Sequence, residues 1–147
     1  MACRQIIEEL EAIARGRDIT FDCDGDGNGA WDEHRIVQAI SNLTSNALQH
    51  GLPDSPVRLR LTGDATSVAV EVHNAGGIPR ELLPRIFEPF RSGRHTGKRG
   101  DGLGLGLFIA KAIARAHGGG VEVDSTDDKT SFRLVLPRQA PTGASLA

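Results

Sequence analysis

The sequence predicts an α+β domain of two layers, a mixed and mostly antiparallel sheet covered on one face by about three helices. Three features lead there. Apolar residues recur at helical spacing in three separated stretches, they alternate in five short ones, and the two kinds of segment do not follow one another as regular βαβ units. A chain of 147 residues can bury a core of its own and is the usual length of one domain.

Taken in order, Ile6, Ile7, Leu10 and Ile13 ahead of Gly16 make Gln5 to Arg15 a short amphipathic helix, and Ile19 to Cys23 alternates as a strand. Gly25 to Gly29 is a turn. Asp32 then starts a longer helix with Ile36, Ile40, Leu43 and Ala47 along one face, stopped by Gly51. Val57, Leu59 and Leu61 alternate with Arg58 and Arg60. Beyond a turn at Gly63 and Asp64, the residues Val68, Val70 and Val72 alternate with Ala69 and Glu71, which reads as a hairpin. Pro79 opens a short helix over Glu81 to Ile86, and Arg91 to Gly102, rich in Gly and basic residues, reads as a mobile loop. Leu105 to His117 is a further amphipathic helix ended by three glycines. Val121 to Asp124 and Ser131 to Leu136 are the last strands, paired across a turn at Asp127 to Lys129. The domain thus occupies residues 1–137, and residues 138–147 read as a disordered tail.

Composition excludes several classes. No apolar run approaches the ~20 residues needed to span a bilayer, and the N-terminus interleaves charges with apolar residues instead of forming a secretory leader, so the segment reads as cytoplasmic without membrane contact. Cys3 and Cys23 form no CxxC pair and no His stands at zinc-ligand spacing, which argues against a disulfide framework or a zinc site. A net charge of −2 with no basic stripe and no Tyr argues against a nucleic-acid reader.

Three segments carry chemistry. Asn42 and Asn46 are four residues apart and project from one helix face, with Gln49 and His50 in the next turn. A neutral amide oxygen suits Mg²⁺, which keeps most of its waters and takes few protein ligands. From Asp101 to Leu107 the chain runs into a helix through Gly102, Gly104 and Gly106, which let backbone N–H groups approach an anion at the positive helix end, while Leu103, Leu105 and Leu107 anchor the turn. Arg91, Arg94, His95, Lys98 and Arg99 just before it can close over a triphosphate. The third segment, His73 to Pro79, contains Gly76, Gly77 and Ile78 and leaves the strand of Val68, Val70 and Val72; period-two parity puts Asn74 on the valine face and His73 on the other. Each segment alone has a plainer reading: surface asparagines, a glycine hinge, a solvated basic loop.

Together they resemble the ATP-binding domain of the GHKL superfamily, most closely the catalytic domain of bacterial sensor histidine kinases, over about Ile6 to Pro137. The N box is similar to Asp32 to His50, the F box to Phe87 to Phe90, and the second glycine box to Gly102 to Leu107. The resemblance implies a Bergerat-type fold that binds ATP and Mg²⁺. Asn46 would hold the metal and Asn42 would assist from the preceding turn. Gln49, His50, Gly76, Gly77, Ile78, Arg94, Lys98, Arg99 and the residues from Gly102 to Leu107 would contact the nucleotide, and Thr130 would sit beside the adenine.

Asn74 would occupy the place of the family's adenine-reading Asp. Here the sequence departs from the family, whose Asp-x-Gly-x-Gly becomes the shorter Asn74 to Gly77; aligned from its last glycine, the turn would put His73 there instead. Strand parity favours Asn74, and loss of the charge should weaken the contact by about 1 kcal/mol. Asn42 stands where ATP-hydrolysing relatives carry a Glu that activates water, so the resemblance favours transfer over hydrolysis. None of His34, His50, His73, His95 or His117 sits in the family's phosphoacceptor pattern. The implied partners are therefore a His domain elsewhere in a parent kinase, of a class that includes membrane-anchored members, and a response regulator, with this segment an excised, monomeric catalytic domain. Anti-sigma-factor kinases of the same superfamily, which act on Ser, and a degenerate nucleotide sensor are the alternatives. Asp22 to Gly27 with Glu33 also matches a calcium-loop pattern, but the residues before Asp22 alternate like a strand and the ninth position is Ala30, so it reads as a solvated acidic turn.

Overall fold

The computed structural model of the chain describes residues 3–14, 16, 18–25, 28–52, 54–89 and 105–139. Its longest helix, α2 (Glu33–His50), is opened by Asp32, whose extended backbone lets the carboxylate accept the Arg35 N–H at 3.3 Å. That bond satisfies one of the donors that the first turn leaves without an intrahelical partner. Ile36, Ile40, Leu43 and Ala47 have no exposed surface, so the stripe predicted from their spacing lies down on the sheet. Helix α1 (Cys3–Ala14) adds Ile6 and Leu10 to the same core, and α3 (Gly106–Ala116) adds Ala110, Ile113 and Ala114.

Strands β1 (Ile19–Asp24), β2 (Val57–Gly63), β3 (Ser67–Ala75), β4 (Gly120–Ser125) and β5 (Lys129–Pro137) form one sheet in the order β1-β2-β3-β5-β4. Only β1 and β2 are parallel, and α2 supplies the crossover that a parallel pair requires. One face buries Leu59, Leu61, Val70, Val72, Phe132 and Leu134 beneath the helices. The other carries a register row of Asp22, Arg60, Glu71, Arg133 and Glu122, alternating in sign across all five strands. Arg133 lies 3.6 Å from Glu71 and 3.7 Å from Glu122. Such exposed pairs each contribute little, but like charges opposite one another would oppose the register. Asp22 and Asp24 lie within β1, in extended backbone, and Asp24 pairs with Arg60 at 3.5 Å.

Two expectations are corrected. The helix expected over Glu81 to Ile86 is a single 3₁₀ turn, Leu83–Arg85, with no buried residue. Pro84 sits in its first turn, has no N–H to donate, and disfavours the helical conformation in the residue before it. Arg138, the first residue of the expected tail, is hydrogen-bonded into the fold. The Arg138 N–H donates to the Thr66 carbonyl at 2.9 Å, and its guanidinium to the carbonyls of Asp64 (2.8 Å) and Asn28 (2.7 Å). The chain before α2 completes this clamp, since the Ala30 N–H donates to the Arg138 carbonyl and the Trp31 indole to that of Pro137, both at 2.7 Å. Residues 140–147 lie outside the described residues. No helix among the described residues is long and apolar enough to cross a membrane.

Helices α2 and α3 are tied at two places. The Asn42 amide donates to the Gly106 carbonyl at 3.3 Å, and the Asp32 N–H donates to His117 Nε2 at 3.2 Å. Because Nε2 accepts, the ring proton is on Nδ1, which donates to the Ile113 carbonyl at 2.8 Å. His117→Ala removes both ring contacts and is expected to cost about 1–2 kcal/mol, lowering the thermal midpoint by a few degrees. An unchanged melting curve by circular dichroism would contradict the tie.

The β2–β3 turn has its own brace. Asp64 accepts the N–H groups of Thr66 (2.9 Å) and Ser67 (2.8 Å), and these bonds, Thr66 first, hold its carboxyl below the ordinary carboxylate range. A lowered folded-state pKa contributes stability that is complete above the unfolded value and lost as pH falls through the folded one. Asp64→Ala should therefore lower the thermal midpoint at neutral pH, and the gap from the unaltered protein should close in strong acid.

Candidate functional site

The end of β3 brings together more buried polar groups than any other part of the described structure. Asn74 is 8% exposed and Thr130 is 2% exposed; they face each other across the β3–β5 pairing. Parity held here: Asn74 points with Val68, Val70 and Val72 into the covered face, whereas His73 points to the open face, 3.5 Å from Glu71. The chain turns at Gly76, whose φ of 103° is in the left-handed region that glycine adopts without strain.

A directed hydrogen-bond chain braces this turn. The Ile78 N–H donates to Ser125 Oγ at 2.8 Å, Ser125 and Thr130 hydroxyls lie 3.0 Å apart, and Thr130 Oγ1 donates to the Gly76 carbonyl at 2.8 Å. With Thr130 donating to Gly76, the Ser125 hydroxyl donates to Thr130, so every member is satisfied. The Gly76 N–H donates to the Asp128 carbonyl at 2.8 Å. A hollow of about 290 Å³ opens beside the turn, between Ile78, Arg80 and Leu83 on one side and Ser125 and Asp127 on the other. None of its walls comes from α2 or α3, so it belongs to the turn and not to the helix pair. Sequence reading missed Ser125, because a serine at a strand end carries no local signal of a partner 47 residues away.

The three sequence-predicted segments meet along α2. Asn42 touches Gly106 at the start of α3. At the far end of the helix, Gly51 backs onto Asn74: a Cβ there would lie 3.0 Å from the asparagine amide, and the next N–H, of Leu52, donates to the Ala75 carbonyl at 3.1 Å. Asn46 lies between them, half-buried and without a side-chain hydrogen bond among the described residues. The run from Asn42 to Gly51 covers about 13 Å at 1.5 Å per residue. Gln49 and His50 are exposed on the last turn of α2. Among the described residues no side chain caps the N-terminus of α3, where Leu105 and Leu107 are half-buried and the first N–H groups lack intrahelical partners. Such a terminus favours an anion.

Between these points Phe87 is fastened to the core, edge-on to Phe132 with ring centroids 6.1 Å apart, and Lys111 of α3 lies 4.5 Å over its face. The cation–π contact contributes roughly 0.5–1 kcal/mol at an exposed position. Phe90, Arg91, Arg94, His95, Lys98, Arg99, Gly102, Leu103 and Gly104 lie outside the described residues.

Residues 31–140 match the family model for histidine kinase-, DNA gyrase B- and HSP90-like ATPases, and the chain belongs to that family. Several of the proteins it resembles are named as sensor histidine kinases. The chain is 41% identical over 145 residues to a bacteriophytochrome of Pseudomonas aeruginosa, an alignment covering 97% of this chain and 20% of that protein. It is 36% identical over 138 residues to the sensor histidine kinase CusS of Escherichia coli O157:H7, covering 92% and 29%. Among solved structures, the catalytic domain of the histidine kinase ThkA superposes with a TM-score of 0.77 at 26% identity over 95% of each chain. The mycobacterial sensor histidine kinase MprB does so with a TM-score of 0.76 at 28% identity over 94% of this chain and 96% of that one. The chain thus spans between 20% and 29% of the length of these two curated relatives.

Gly77 offers a direct test of the turn. A Cβ at this position would lie 2.0 Å from the Thr126 carbonyl oxygen and 2.9 Å from that of Asp127, both backbone atoms. Gly77→Ala must displace the turn from the β4–β5 connection, and is expected to lower nucleotide affinity by about tenfold or more, corresponding to roughly 1.4 kcal/mol, with helix content preserved. Unaltered binding would show that the turn does not shape the site.

Proposed function

We propose that this chain is the ATP-binding catalytic domain of a sensor histidine kinase, binding Mg·ATP and delivering the γ-phosphoryl group to a histidine on a separate domain of the parent protein. The observation that carries the reading is the order of groups along α2: an uncapped helix terminus suited to phosphates at Asn42, a metal-suited amide at Asn46, and a buried polar turn suited to a base at Gly51. A nucleoside triphosphate has the same order of parts.

Asn46 fits a magnesium ligand on the donor set of this site. Its amide oxygen is neutral, has no protein partner among the described residues, and is one helical turn from Asn42 and the start of α3. Mg²⁺ held there would neutralise charge on the phosphates. Asn42 acts on the protein instead, since its NH₂ holds the Gly106 carbonyl and so fixes where the first N–H groups of α3 point. As an amide it cannot take a proton from water, which favours transfer to a protein acceptor over hydrolysis. Thr130, through the Gly76 carbonyl, keeps the base-side turn in place. Arg94, Lys98 and Arg99, on the segment ahead of Gly102, are proposed as the cover of the triphosphate, and Gln49 and His50 as its neighbours on the last turn of α2. The partners are then the phosphoacceptor domain and, after it, a response regulator.

Calorimetric titration with ATP, with and without Mg²⁺, tests the reading. The unaltered chain should bind ATP saturably and more tightly with the metal, and Asn46→Ala should lose the metal-dependent part, at least about tenfold in affinity (roughly 1.4 kcal/mol). Equal affinity for Asn46→Ala would remove the metal assignment, and no binding at millimolar ATP would remove the catalytic one.

A further inference from the structure

Helix α3 meets the rest of the fold through a narrow face. Its buried residues are Ala110, Ile113 and Ala114, and the two alanines allow close approach but interlock little with a neighbour. Such a face fixes the distance of a helix from its support better than it fixes rotation about the helix axis.

The two ties to α2 lie on one flank. Gly106, whose carbonyl accepts from the Asn42 amide, and His117, which accepts the Asp32 N–H, fall about 20–40° to one side of Ala110 on a helix of 3.6 residues per turn. A Cβ at Gly106 would lie 3.9 Å from that of Asn42, so this flank faces α2. Lys111 falls about 100° to the other side. There the half-buried lysine holds its ammonium 4.5 Å from the centre of the Phe87 ring, and it makes no ion pair with a carboxylate among the described residues. Phe87 is itself edge-on to Phe132, which has no exposed surface and pairs with Val72 on one side and Val123 on the other. Thr130, which supports the turn at Gly76, is two residues earlier on the same face of β5.

We infer that Lys111 is a positioning residue for the start of α3, holding through Phe87 the rotation that the α2 ties leave free. Two ties on one flank act as a hinge, and a contact on the opposite flank closes it. Rotation about that hinge would swing the first turn of α3, whose N–H groups face the phosphates on the Mg·ATP reading above, on which this role rests. Lys111 acts without touching the nucleotide, since its cation is committed to the ring. The same contact refers α3 to β5, the strand that carries Thr130, so the phosphate end and the base end of the site share one support.

Calorimetric titration with Mg·ATP tests this on the unaltered chain, Lys111→Ala, Lys111→Arg, Phe87→Leu and the Lys111→Ala, Phe87→Leu double variant. The temperature is kept well below every melting transition, where a loss of stability alone leaves affinity unchanged. Alanine preserves the helix, and leucine keeps an apolar contact without a ring face for the cation. Lys111→Ala and Phe87→Leu should each weaken binding by about two- to fivefold. Lys111→Arg should restore it, and the double variant should bind no more weakly than either single one. Losses that multiply in the double variant overturn the inference in favour of a direct contact between Lys111 and the phosphates. Unchanged affinity in Lys111→Ala overturns it in favour of a contact that serves stability alone. Should Phe87→Leu fail to fold, the salt dependence of the Lys111→Ala loss decides: a contact with a solvated triphosphate is screened and its loss shrinks with salt, whereas a loss that persists supports the ring contact. No Mg·ATP binding by the unaltered chain removes the Mg·ATP reading itself, and the positioning role with it.

Discussion

Burial of the apolar stripe of α2 is the constraint on which the site depends. Ile36, Ile40, Leu43 and Ala47 are wholly withdrawn from solvent. On a helix of 3.6 residues per turn, committing that stripe to the sheet also commits the flanking faces. Asn42 and Asn46 follow the stripe at one-turn spacing, and their exposure is intermediate because they lie at its margin. Removing a methylene-rich side chain from the stripe would therefore act twice, by leaving a cavity that costs about 2–5 kcal/mol and by letting the helix roll and carry the two amides out of place.

Around this fixed helix the protein uses small groups to bring backbones close. Gly51 lets the end of α2 meet Asn74, Gly77 lets the turn after β3 meet the β4–β5 connection, and Gly106 starts α3 where the Asn42 amide can reach its carbonyl. Close approach of backbones leaves carbonyls that need donors, and Ser125, Thr130 and Asn74 supply them from side chains. A half-satisfied version of such a network would be worse than an apolar one.

Much of this was legible in the chain itself. The α2 stripe, the β2–β3 hairpin and the inward direction of Asn74 follow from periods of 3.6 and 2, which act over a few residues and need no knowledge of the partner. Pro79 suggested a helix start for Glu81 to Ile86, but Pro84 five residues on leaves too little room for a helix. Contacts made across the fold were not legible: the Trp31 indole reaches Pro137 across 106 residues, Arg138 reaches Asp64 across 74, and Asp32 reaches His117 across 85. Arg138 looked like the start of a polar tail because the groups it meets are backbone ones, the carbonyls of Thr66, Asp64 and Asn28 and the N–H of Ala30, which no sequence pattern announces.

By itself, then, the sequence determined the layers, the strand directions of the hairpins, the family resemblance and the residue types available for a nucleotide. All of these are set by short-range periodicity, turn chemistry and motif spacing. Only the tertiary structure decided what those residues do to each other. It placed Asn42 under Gly106 as a support, left the Asn46 oxygen without a partner among the described residues, and turned the Asn74 amide so that its NH₂ serves the Ala75 carbonyl. The reason is directional: a hydrogen bond is defined by where donor and acceptor come to lie, and for these groups that is settled by the packing of α2 and α3 on the sheet, between segments distant in the chain.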